Sequence, residues 1–117
     1  MNLNWIKTNQ NSWHSLMDLN LDHPYFNDRN GVYIIWHWTS NANEHNIVRV
    51  GQGHIKSRLS EHRNNRQILS YGFLYVTWAE LDMAYADRVE NYLATKLNPK
   101  VGERFPNVQP LIVNIPE

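Results

Sequence analysis

The chain has 117 residues, 42% of them hydrophobic and including 5 Trp, 6 Tyr and 3 Phe, which suits a single domain with a real core and rules out global disorder. Its 11 Lys+Arg balance its 11 Asp+Glu, so no overall positive field draws it to nucleic acid or to a membrane surface, and any such function must come from local charge. With no cysteine, disulfides, thiolate nucleophiles and Cys-based zinc or iron–sulfur sites are excluded.

Residues 1–30 are polar and rich in Asn and Asp. Ser12 can cap a short helix over 13–19 that places Trp13, Leu16 and Met17 on one side, so this stretch reads as an N-terminal packing arm. After the turn signal Asn27-Asp28-Arg29-Asn30, the β-branched and aromatic run from Gly31 to Trp38 predicts a strand. Alternation sets Val32, Ile34, Trp36 and Trp38 on one face and Tyr33, Ile35 and His37 on the other. Residues 39–46 form turns, and Ile47 to Gly51 is a second strand that makes a hairpin with the first. Gln52-Gly53 breaks that strand, and His54 to Asn65 has helical spacing. Gly72 to Ala79 is a third strand, and Leu81 to Leu97 is the clearest helix, capped by Asp82 and ended by Asn98-Pro99. The tail from 98 to 117 carries four of the five prolines and is irregular apart from a short strand at Leu111 to Asn114.

This order predicts a small α/β (α+β) domain: a three-stranded, mostly antiparallel sheet flanked by helices. The N-terminus lacks a basic segment followed by an apolar one, and no apolar run is long enough to span a membrane. The expectation is a cytoplasmic protein with no membrane partner.

Three polar features stand out. In the last helix Met83, Ala86, Leu93 and Leu97 form a stripe whose gap is filled by Glu90, which places a carboxylate on or beside the core face, where it must be paired, hold a cation or be neutral. The alternative stripe, Tyr85, Val89, Tyr92 and Leu93, leaves Glu90 at the margin in an ordinary ion pair with a residue such as Arg88 or Arg104. Residues 49–66 hold five cations (Arg49, Lys56, Arg58, Arg63 and Arg66) against one acid, Glu61. Arg58 and His62 share a helix face that opens after a Gly51-Gln52-Gly53 turn with free backbone N–H groups, so the run is either a phosphate-binding face or a solvated surface. Tyr33 is either a packing aromatic or a reactive hydroxyl. The other histidines have no zinc-ligand spacing, and no GxSxG motif exists.

Taken in order, these residues resemble the GIY-YIG nucleases. Gly31-Val32-Tyr33 matches the first half-motif and Arg49-Val50-Gly51 the second. The segment Gly51 to His62 is similar to the family's helix with its catalytic arginine, here Arg58, and a histidine one turn later, here His62. The metal-binding glutamate falls on Glu90, and a proline turn follows at Asn98 to Gly102. The resemblance covers about residues 30–105 and implies a nuclease domain over 31–105, preceded by the arm and followed by a tail, 106–117, packed on the same domain. Two positions depart from the family: Arg49 replaces the tyrosine of the second half-motif, and Gly102 replaces an asparagine. An arginine stays protonated and cannot act as a base, although it can add a second cation near a phosphate.

The resemblance implies a metal-dependent endonuclease that hydrolyses phosphodiester bonds in DNA, or alternatively RNA. Glu90 would hold a single Mg²⁺ or Mn²⁺, Arg58 would stabilise charge on phosphorus, Tyr33 would orient or deprotonate water, and His62 and Arg49 would assist. Lys56, Arg63, Arg66 and Gly53 are the expected nucleic-acid contacts, and a dimer would be one way to cut both strands. The departures also allow a catalytically inactive nucleic-acid-binding module or a protein-interaction scaffold.

Overall fold

The computed structural model of the protein describes residues 1–39, 42–43, 45–102 and 107–117. An antiparallel sheet lies at its centre, built from β1 (His14–Ser15), β2 (Asn30–His37), β3 (Ile47–His54) and β4 (Leu74–Glu80) in the spatial order β1-β4-β2-β3. The helices are α1 (Ile55–His62), α2 (Arg66–Leu69) and α3 (Ala86–Leu97), with 3₁₀ turns at Pro24–Phe26 and Met83–Tyr85. The mixed class and the antiparallel pairing are as the sequence predicts, with one strand more than expected.

Strand β2 is apolar along nearly its whole length because it is an inner strand with both faces covered, and six consecutive residues, Gly31 to Trp36, are buried. Alternation divides the core. Tyr33 and Ile35 join Val48, Val76 and Trp78 under α1, while Val32, Ile34 and Trp36 join Val50, Ala79 and the α3 residues Val89, Leu93 and Leu97. Two fully buried tryptophans, Trp36 and Trp78, thus anchor opposite faces. Trp38 departs from its expected face. The strand ends at His37, and Trp38 takes a left-handed φ of 80° that turns its ring outward to 81% exposure.

The arm is not helical over 13–19. His14 and Ser15 pair with Val76 and Tyr75 of β4, and residue 16 continues the contact through Leu16 N–H donating to the Leu74 carbonyl at 2.9 Å. Extended pairing separates Trp13 and Leu16 to opposite faces: Trp13 meets Trp36 edge-on at 5.5 Å, whereas Leu16 enters the α1 core and Met17 is exposed. Residue 6 reinforces this edge, since Ile6 N–H donates to the Trp78 carbonyl and Thr77 Oγ1–H to the Ile6 carbonyl. The arm therefore covers a strand edge that would otherwise present unpaired backbone groups.

The helices start and stop for local reasons. Asp82 caps the 3₁₀ turn that leads into α3, accepting from Ala84 N–H at 3.0 Å, so the expected cap holds although the first turn is 3₁₀. Helix α1 is shorter than expected, and after His62 the chain restarts at α2 with Asn65 as cap. Asn98 ends α3 in the left-handed region at φ 50°, before Pro99. Asn98→Ala should cost about 1 kcal/mol and Asn98→Gly should be nearly neutral, which urea unfolding midpoints will check. Beyond α3, Lys100 and Val101 N–H groups donate to the Ile47 and Val48 carbonyls and cover the start of the β3 edge. No strand forms at Leu111 to Asn114. There the tail is held by Leu111 N–H donating to the Arg88 carbonyl, by the Trp5 indole N–H donating to the Asn114 carbonyl, and by a reciprocal pair in which Leu3 N–H donates to Asn114 Oδ1 and Asn114 Nδ2–H donates to the Leu3 carbonyl. Arg104 and the expected boundary at residues 105 and 106 lie outside the described residues. Among the described residues no helix is long and apolar enough to cross a membrane.

Candidate active site

The site straddles strand β3, beyond the stretch that Lys100 and Val101 cover. In an antiparallel pair, facing residues project to the same side. Gly51 faces Tyr33 and Arg49 faces Ile35, so both lie on the α1 side, whereas Gln52 faces Val32 on the α3 side. Neighbouring residues of one strand thus serve two groups of polar side chains.

On the α1 side, the buried Tyr33 hydroxyl meets His62 Nε2 at 2.5 Å. The Arg49 and Arg58 guanidinium groups lie beside the same hydroxyl: burial raises the Tyr33 pKa, and the two cations oppose that rise. Burial, followed by the charges of Arg49 and Arg58, lowers the His62 pKa from 6.5 to about 4. His62 is therefore neutral at pH 7. An arginine donates only, so the phenol proton is directed to His62 Nε2, and the imidazole carries its own proton on Nδ1.

The lowered His62 pKa makes the stability of the fold depend on pH. Between pH 6.5 and 4 the unfolded chain binds a proton that the folded chain does not, so stability is full above pH 6.5 and falls as pH drops toward 4. The loss should be of order 2 kcal/mol once solvent screening is allowed for. Urea unfolding at both ends of this range will show it, and His62→Gln should flatten the slope over the same interval.

Two glycines make room for this arrangement. A Cβ on Gly51 would fall on the Tyr33 ring, within 2.8 Å of Cε2 and closer still to Cζ and the hydroxyl oxygen. Gly53 sits at φ +128°, and a Cβ there would press on the Arg58 stem, 3.2 Å from Cγ. These glycines do not form an open turn ahead of the helix, as the sequence had implied. Both are in ladder register with β2, Gly51 facing Tyr33 and Gly53 facing Gly31. His54 caps α1 instead: its Nδ1 accepts from Ser57, and its Nε2–H donates to the Asn27 carbonyl at 3.0 Å.

On the α3 side, Glu90 is half-buried at the margin of the face formed by Ala86, Val89, Leu93, Ala94 and Leu97. Of the first predicted stripe Ala86, Leu93 and Leu97 are buried and Met83 is exposed; of the second Val89 and Leu93 are buried, Tyr92 is partly buried and Tyr85 is exposed. Glu90 does not pair with Arg88, whose Nε–H donates to the Gln109 carbonyl. Its partner is Gln52, whose Nε2–H₂ donates to Glu90 Oε1 at 3.1 Å and to Asp87 Oδ1 at 2.5 Å. Burial raises the Glu90 pKa, and nearby Asp87 adds to the rise; Gln52, Arg49 and Arg58 oppose it. Glu90 therefore feels both arginines, although it approaches from the other side of β3.

Two carboxylate oxygens converging on one amide nitrogen mark a place where positive charge is favoured. Mg²⁺ takes one or two carboxylates plus waters, so Glu90 and Asp87 fit such an ion. Among the described residues no group of three or more His, Cys, Asp or Glu could hold a metal, so a bound ion would depend on these two carboxylates.

The remaining predicted contacts divide. Arg63 is taken up by the fold, donating from Nε–H to the Leu16 carbonyl at 2.8 Å and from its other end to the Leu19 carbonyl. Lys56 lies 3.4 Å from Asp22, and Arg66 is exposed at the start of α2. Asp87 and Gln52 were missed by sequence reasoning. The signal for Asp87 was its place three residues before Glu90 on one helix face, and that for Gln52 was its alternation against Gly51. A cavity of about 580 Å³ lies at the opposite edge of the sheet, lined in part by Ile6, His14, Leu19, Tyr25, Phe26 and Trp78. It is mainly apolar and is lined by none of Tyr33, Arg49, Arg58, His62 and Glu90.

Comparison with protein-family models, with curated proteins and with solved structures finds no match to this chain.

Proposed function

We propose that the protein is a GIY-YIG-type metal-dependent endonuclease that hydrolyses phosphodiester bonds in DNA, with RNA as the alternative substrate. The observation that carries this reading is the Tyr33–His62 contact at 2.5 Å with Arg49 and Arg58 beside the same hydroxyl. It joins an acceptor for a proton to two cations at one point, which is what attack of water on a phosphate needs.

Water attached to Tyr33 would give its proton to the phenol oxygen while the phenol's own proton passes to His62 Nε2. The water oxygen forms the new bond to phosphorus, the bond to the leaving sugar oxygen breaks, and that oxygen takes up a proton from solvent to leave as the alcohol. Arg58 stabilises the charge that builds on the non-bridging oxygens, and Arg49 supplies a second cation where the family has a tyrosine. Glu90 and Asp87 would hold the divalent ion, Mg²⁺ or Mn²⁺, whose chemistry is to stabilise the leaving oxygen as a Lewis acid. The exposed Arg66 and the partly exposed Lys56 are left to meet the nucleic-acid backbone, whereas Arg63 serves the fold.

The test is cleavage of labelled single-stranded, duplex and branched DNA, and of RNA, with Mg²⁺ or Mn²⁺, using Glu90→Ala as control. Metal-dependent cutting lost in the variant supports the reading. A folded protein that binds nucleic acid in a salt-dependent manner and cuts none of these substrates is instead a binding module, the reading favoured by Arg49 in place of a tyrosine. A folded protein that neither cuts nor binds is an interaction scaffold.

A further inference from the structure

We propose that Arg49 and Arg58 form a two-guanidinium cradle that binds the dianionic phosphomonoester end of a nucleic acid, without any metal and in preference to a phosphodiester. The proposal rests on the hydrolase reading to the extent that such an end is what phosphodiester hydrolysis leaves at this site.

The two side chains are held together by the fold. Arg49 comes from β3, one register step from Gly51, and Arg58 from the second turn of α1, its stem laid over Gly53. Both flank the Tyr33 hydroxyl. Each guanidinium has a buried Nε with no hydrogen-bond partner. A buried donor left unsatisfied is costly, and here the cost occurs twice at one point. Compensation for the charges is also incomplete. Arg58 meets Glu61 at 3.1 Å through Nη1, but that carboxylate is 60% exposed, and Arg49 has no ion pair among the described residues. Two like charges side by side with spare donors are relieved by one anion that accepts from both.

The charge count selects the anion. A phosphodiester carries one negative charge and two non-bridging oxygens, so it fills one guanidinium fork and leaves the other with no anion beyond the neighbouring carboxylates Glu61 and Glu90. A phosphomonoester carries close to two charges near neutral pH and three terminal oxygens, enough to satisfy both forks. Arginine suits this task better than lysine because its planar fork presents Nε–H and Nη–H together. The tyrosine that the family resemblance places at this position would lack the second charge, so the selectivity is a property of Arg49.

The experiment uses the full chain in EDTA at about pH 8, with Arg Nε–Hε resonances followed by NMR. The probes are inorganic phosphate, a dianion there, and dimethyl phosphate, a monoanionic diester. Phosphate is expected to shift the Nε–Hε signals of both Arg49 and Arg58 and to bind about tenfold or more tightly than dimethyl phosphate, the worth of one further charge-assisted contact. Arg49→Met should abolish that preference, and Arg49→Lys should restore part of it. Unchanged Trp36 and Trp78 indole resonances will report that each variant is folded, and should Arg49→Met not fold, the wild-type shifts and the lysine variant decide. Equal affinity for the two probes, or phosphate binding that leaves the Arg49 signal unmoved, overturns the proposal. Selective phosphate binding in a protein that cleaves nothing would sink the hydrolase reading and leave the cradle standing; cleavage without selectivity would do the reverse.

Discussion

Arg58→Ala and Glu90→Ala are each expected to lower phosphodiester cleavage by about a hundred- to a thousandfold, the usual consequence of removing one preorganised group that stabilises transition-state charge. The two losses have different origins. Arg58 is the α1 cation beside the Tyr33 hydroxyl, so its loss removes charge from the phosphate itself and also relieves part of the downward pull on the His62 pKa. Glu90 acts from the α3 side, where it shares the Gln52 amide with Asp87, so its loss should be read in the metal concentration needed for activity. Because neither side chain is fully buried, both variants should unfold within about 1 kcal/mol of the parent. Metal-dependent cutting that survives either change at parental rates would remove that residue from the reaction.

Gly51→Ala should be strongly destabilising, costing about 3 kcal/mol or more. The added methyl would occupy the space of the Tyr33 ring and hydroxyl, in a core where Tyr33 is fully buried and has nowhere to retreat. Either β3 shifts in register, which would carry Arg49 and Gln52 with it, or Tyr33 tilts and its bond to His62 is lost. Both outcomes disarm the site as well as weaken the fold. The clash is with one named side chain, so the penalty must be coupled to it: in a Tyr33→Ala background the further cost of Gly51→Ala should fall by more than half. Equal costs in the two backgrounds, measured by denaturant unfolding, would show that the close approach does not govern the stability of this strand.

Strand β2 was legible because a run from Val32 to Trp36 of β-branched and aromatic residues needs cover on both faces, and alternation placed Tyr33 and Ile35 opposite Val32 and Ile34 correctly. Helix α3 was legible through its length, its Asp82 start and its Asn98-Pro99 end. The arm was misread because Trp13, Leu16 and Met17 match helical spacing by coincidence, and only the β4 edge, sixty residues away in sequence, makes the chain extend there. Trp38 was misplaced since nothing local announces that the strand stops one residue earlier.

The site shows the same division. Tyr33, Arg58, His62 and Arg49 could be named from order and spacing, and the fold brings them to one point. That Arg63 would serve arm carbonyls was not readable, because the sequence has no mark for where Leu16 and Leu19 end up. Gln52 stayed hidden while Gly51 to Gly53 was read as a turn, since a residue in a turn has no face. Once these residues are strand, alternation sends Gln52 to Glu90.

The protonation state of His62 is the point on which the chemistry turns, because only a neutral imidazole can accept the Tyr33 proton. An NMR pH titration of the histidine ring signals measures it directly. His62 should titrate near pH 4, and at pH 7 it should be the Nδ1–H tautomer with Nε2 as acceptor. A midpoint at or above 6.5, or a proton on Nε2 at pH 7, would contradict the account.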